Sequence, residues 1–139
     1  MADPVHAIQK AVFAALADIT APGDAGGSVP VPVYDHEPLN ASPPFIGFSG
    51  KAIVQNDTYE AEAQIVSMYL SVWSNYRGQR QVDAIQAEIQ ARLHRKSLTL
   101  EAGHFISCRV SGRTVSLDAD GLTYQGAMTI EVMASPEAT

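Results

Sequence analysis

Between residues 61 and 73 the chain alternates with a period of two, and this stretch restricts the fold more than any other. Val66, Met68, Leu70 and Val72 take every second position and are all apolar, while Ile65, Ser67, Tyr69, Ser71 and Trp73 form a mixed set between them. Such alternation specifies a β-strand with one face on a core. The uniform set should face helices. The mixed set, with amphipathic Tyr69 and Trp73, suits a sheet face partly covered by a neighbouring subunit, and Trp73 suits an ordinary core position equally well.

Helical periodicity brackets that strand. Val5, Ile8, Val12, Leu16 and Ile19 recur at helical spacing, Asp3 is placed to cap, and Pro4 fits a first helical position. Alanines at 11, 14, 15 and 17 add propensity, and the helix must stop by Thr20-Ala21-Pro22-Gly23. Asn75-Tyr76-Arg77-Gly78 turns into a second helix with Val82, Ile85, Ile89 and Leu93 on its apolar stripe. Glu88 and Arg92 form an i,i+4 pair there, a spacing that supports a helix by ~0.3 kcal/mol. His94-Arg95-Lys96 sets positive charge at the C-terminal end of the dipole and is too short for a specific nucleic-acid patch.

The remaining segments complete one domain over residues 1–139. Residues 21–30, rich in glycine, read as a flexible loop, and 29–34 as a short strand that its prolines at 30 and 32 confine to an edge. Asn40-Ala41-Ser42-Pro43-Pro44 is a polar loop, and Phe45-Ile46-Gly47-Phe48-Ser49-Gly50 a buried strand. Residues 51–60 are irregular and polar with Ile53 and Val54 embedded, which gives an extended hairpin tip or a flexible arm, either floppy or ordered on a partner. Two long strands follow, about 104–115 and 122–133, joined through Asp118-Ala119-Asp120-Gly121, whose Asp-Gly favours a tight turn. Residues 134–139 should be a short frayed tail. Helix, two strands, long strand, helix, two strands makes an α+β fold: an antiparallel sheet of four to five strands with two helices packed on one face.

Little in the chain points to chemistry. Apolar residues make up 46% and charged ones 17%, as in a globular protein, and a formal net charge of −6 argues against general affinity for phosphates. It is compatible with a surface that DNA passes without being held. Cys108, the single cysteine, reads as a small buried hydrophobe, because His104 on the same strand face lies roughly 13 Å away. Asp35-His36-Glu37 is a solvated loop, since consecutive residues converge poorly on one ion. The Asp118, Asp120, Gly121 spacing echoes a calcium loop but lacks its terminal carboxylate. The histidines at 6, 36, 94 and 104 fall on different elements, and no phosphate loop, CxxC pair or Ser/His/Asp pattern occurs. No catalytic residue, cofactor or metal is therefore expected. Met1-Ala2-Asp3-Pro4 leads straight into a helix and no apolar run approaches a membrane span, so a cytoplasmic origin is expected, and the two Asn-x-Ser/Thr sequences are chance matches.

Taken in order, these segments resemble the tail-completion, or tail-terminator, family of long-tailed phages and related gene transfer particles. The resemblance runs from the Val5–Ile19 helix to the strand over 123–132. Its carriers are Val33-Tyr34-Asp35 before a proline-rich stretch, then Pro44-Phe45-Ile46, then Leu70-Ser71-Val72-Trp73-Ser74 ahead of the second helix. Asp118-Ala119-Asp120-Gly121-Leu122-Thr123 with Gly126 comes last. The resemblance implies a non-enzymatic ring, a hexamer, on the head-proximal end of the tail tube, which ends tube polymerisation and meets a head-side connector or stopper. It also implies a place at the head–tail junction of a virion or virus-like particle, assembled in the host cytoplasm, with DNA passing through the lumen and no membrane contact. A closed heterologous ring needs two different faces per subunit. Tyr69 and Trp73 on the mixed strand face, and Lys51, Ile53, Val54, Asp57 and Tyr59 in the polar arm, are the candidate interface residues.

Two other readings stand beside this one. A head–tail connector or stopper of the same particle would share the size and acidity. A small hydrolase or ligand-binding protein would need polar residues converging in a cleft, which the scattered histidines do not supply.

Overall fold

The computed structural model describes residues 5–23, 27–35, 43–57, 62–75, 79–101, 103–117 and 121–135 of the 139. Helix α1 spans Val5–Ala15 and α2 spans Arg80–Leu93. The strands are β1 Thr20–Pro22, β2 Ser28–Pro30, β3 Val33–Tyr34, β4 Phe45–Gln55, β5 Gln64–Ser74, β6 His104–Leu117 and β7 Tyr124–Ser135. β1 and β2 make a two-stranded ribbon, and the main sheet has the order β3-β4-β5-β7-β6. Every pairing in that sheet is antiparallel except the short parallel contact of β3 with β4. The fold is α+β, with a five-stranded sheet and two helices, as the patterning requires.

Alternation along β5 divides the sheet as expected. Val66, Met68, Leu70 and Val72 are all buried, together with Ile130, Val132 and Met128 of β7 and with Ile85, Ile89 and Leu93 of α2. Burying each such side chain is worth about 1.5–3 kcal/mol. α2 lies close to the sheet because Gly126 has no side chain. A Cβ there would stand 2.5 Å from Gln86 Nε2 and 2.8 Å from Val82 Cγ1. Gln86 is itself buried and donates to the Thr114 carbonyl at 2.9 Å, which pairs its amide nitrogen. Gln81, also buried, accepts from Ser74 Oγ and donates to the Pro22 carbonyl at 2.7 Å, which ties α2 to the ribbon.

Five boundaries differ from the sequence reading. α1 ends at Ala15, although Leu16 and Ile19 remain buried. Asp18 takes a left-handed φ of 67°, and Arg92 donates from α2 to the carbonyls of Ala15 and Ala17. Helical spacing there marks burial after the helix itself has stopped. The expected loop over 21–30 contributes instead to the β1–β2 ribbon, with Ala21 opposite Val29.

The expected single strand over 29–34 is two strands in different sheets. Val31 N–H donates to the Ile19 carbonyl at 2.9 Å, while the Pro32 carbonyl accepts from Ile46 N–H at 2.9 Å, so the chain passes from ribbon to sheet at that point. Lys51 to Gln55 belongs to β4, and β7 continues through buried Ala134 to Ser135, both held by ladder pairing. The Asp3–Pro4 cap, the His36 loop, the turn over 76–78 and Asp118–Asp120 fall outside the described residues.

Candidate interaction surfaces

The β4–β5 hairpin carries the arm residues. Beyond Phe48 every residue of β4 is exposed, and β3 pairs only with Ile46 and Gly47. Ile53, opposite Val66, is 46% exposed, and Val54, opposite Ile65, is 58% exposed on the other face. Strands bare on both faces and along one edge are associative by physical nature. Asp57 closes the tip: its carboxylate accepts from Ala63 N–H at 3.2 Å and Gln55 Nε2 at 3.4 Å, while Asn56 N–H donates to the Ala63 carbonyl at 2.8 Å. Lys51 is turned toward α1, donating to Gln9 Oε1 at 2.9 Å, and Gln9 donates in turn to Asp35 at 2.9 Å. Tyr59 lies outside the described residues.

Tyr69 and Trp73 stand on the open sheet face, apart from the tip. Tyr69 is 40% exposed, between Gly50 and Thr129 in the cross-strand register. Trp73 is half-buried at the far end of β5. Its ring lies 6.4 Å from that of Phe45, which lies 5.8 Å from Tyr34, so it belongs to an aromatic cluster as much as to a surface. Its indole N–H is buried and has no hydrogen-bond partner among the described residues. The structure thus brings Ile53, Val54 and Asp57 together, leaves Tyr69 midway, and sets Trp73 roughly 13 Å beyond Tyr69.

Sequence reasoning assigned His94-Arg95-Lys96 to the helix dipole and missed a groove beside it. Arg95, at a left-handed φ of 58°, donates its N–H to the Cys108 carbonyl at 2.8 Å, and His94 Nδ1 accepts the Val110 N–H at 3.0 Å. The turn after α2 is thereby fastened along the outer edge of β6. Between them lies a groove of about 510 Å³ that includes Arg95, Lys96, Phe105, Ile106 and Arg109. Arg109 meets Glu131 of β7 at 2.8 Å. Cys108 is buried, and burial pushes its thiol up to about 11, which leaves a weak nucleophile. Among the described residues no three His, Cys, Asp or Glu side chains gather as a metal site would require, and no helix is long and apolar enough to cross a membrane.

This is a domain whose distinctive features are surfaces and edges. It is a structural protein of phage-like tails: residues 7–135 match the family described as Tail completion protein gp17, and the chain belongs to that family. Its fold is also that of a chain in a solved structure titled "Virion of native gene transfer agent (GTA) particle", with a TM-score of 0.79 at 16% identity, covering 95% of this chain and 97% of that one. No curated protein matches the sequence.

Proposed function

We propose that the chain is a ring subunit, six to a ring, that caps the head-proximal end of a phage-like tail tube, ends its polymerisation and offers the surface on which the head is joined. The family match over residues 7–135 carries this reading. The geometry supports it, because a ring subunit must show unlike surfaces to its two neighbours, and the hairpin tip and the β6 groove lie on opposite edges of one sheet. Ile53, Val54, Asp57, Tyr59 and Tyr69 act as contact residues, Lys51 steadies the tip against α1, and Trp73 supports the open face from its aromatic cluster. A net charge of −6 lets DNA slide through the lumen without being retained. The partners are then the tube protein on one side and a head-side connector or stopper on the other, at the head–tail junction.

Electron microscopy of tube protein polymerising with and without this chain tests the proposal. Tubes should stop at short lengths and carry a ring at one end. Tubes that lengthen equally in both reactions, with the chain absent from their ends, would remove the capping role and favour a connector.

A further inference from the structure

The β4–β5 tip and the β6 groove face opposite ways at the same level of the sheet. Gln55 is aligned with Gln64, Gln64 with Ala134, and Ala134 with Phe105. The tip and the start of β6 therefore share one end of the sheet, three strand spacings apart, roughly 14 Å. β5 and β7 stand between them, so no tip reaches the groove of its own chain.

The two surfaces are complementary in character. Asp57 and Glu62 make the tip acidic, beside exposed Ile53 and Val54. The groove is basic through Arg95 and Lys96, while its Arg109 is paired with Glu131, and Ile106 in its lining is 45% exposed. Among the described residues neither Arg95 nor Lys96 forms an ion pair.

We infer that the acidic hairpin tip of one copy seats in the basic groove between the α2 C-terminal turn and β6 of the next copy. The inference rests on the ring reading and names the contact that would build the ring. The outward groups of Cys108 and Val110 are already taken by Arg95 and His94, so the neighbour does not add as a strand at this level. It is held by apolar contact with Ile106 and by charge at the rim. Each copy gives one tip and receives one, a heterologous arrangement that closes as a ring or propagates.

Sedimentation velocity tests this with two variants, Arg95→Glu/Lys96→Glu in the groove and Ile53→Lys/Glu62→Lys in the tip. Each should stay folded by circular dichroism and weaken self-association, alone or on tube protein, by about tenfold or more. Mixed together they retain one compatible contact and should give a 1:1 dimer and nothing larger. Combining all four changes in one chain should restore part of the assembly.

A wild type that stays monomeric alone and on tube protein overturns both the ring reading and this contact. An assembling wild type whose size and affinity the groove variant leaves unchanged overturns the contact alone. A folded groove variant that loses assembly, with no dimer on mixing and no recovery in the combined variant, also overturns the tip–groove pairing.

Discussion

The two faces of β5 share one backbone and differ in almost everything else. On the helix face Val66, Met68, Leu70 and Val72 are sealed between α2 and the sheet, while one residue along, Tyr69 is 40% exposed and Ser67 is half-buried. Neither face is a polar solvent surface of the usual kind. The helix face holds the domain together, whereas the open face and the tip leave apolar side chains where a neighbour can cover them. On the proposed reading, stability and association fall on alternate residues of the same strand, and substitutions one position apart should separate them.

The largest effect is expected on the closed face. Leu70→Ala removes a buried side chain aligned with Phe48 and Met128 and should cost about 2–5 kcal/mol in urea unfolding. A smaller loss would mean that α2 can settle into the space. Gly126→Ala comes next, at about 1–3 kcal/mol, because the new methyl meets Gln86 and Val82. If crowding is the cause, Gly126→Ala and Gln86→Ala combined should cost less than the sum of the two, whereas strict additivity would point to another cause.

Arg92→Ala should cost less again, about 1–2 kcal/mol. The guanidinium pairs with Glu88 at 3.0 Å and also donates to carbonyls at the end of α1. Glu88→Ala alone should cost only ~0.3 kcal/mol, as an i,i+4 pair does. Equal losses in the two variants would show that the link to α1 contributes nothing.

How far the sequence revealed this arrangement depended on whether a signal was local. The faces of β5 were legible because a period of two survives inside one strand, and the α2 stripe because its apolar residues recur on one side. The outer half of β4 was not legible. Lys51 to Gln55 is exposed on both faces, so no alternation marks it, and its strand character comes from pairing with residues 64–68. The β1–β2 ribbon was hidden for a similar reason: its prolines and glycines read as loop, while its order comes from Val31 bonding to Ile19 and Gln81 bonding to Pro22. The groove at the end of α2 was missed because its floor is supplied by β6. His94 and Arg95 carried a sufficient local explanation in the helix dipole, and nothing in their sequence neighbourhood points to Cys108 or Val110.

A similarly small change in stability, and the sharpest test of the two-face division, is expected of Tyr69→Ser. The ring packs on no helix, and Ser49 Oγ bonds to the Tyr69 backbone carbonyl at 3.0 Å, a contact the substitution keeps. Unfolding free energy should move by no more than about 0.5 kcal/mol. Assembly on tube protein should nonetheless weaken, since an exposed tyrosine offers a large rigid contact area at low entropic cost. Unchanged assembly would confine the contact surface to the tip and groove. A loss of stability comparable to that of Leu70→Ala would show that the open face belongs to the core of the subunit, and the division would fail.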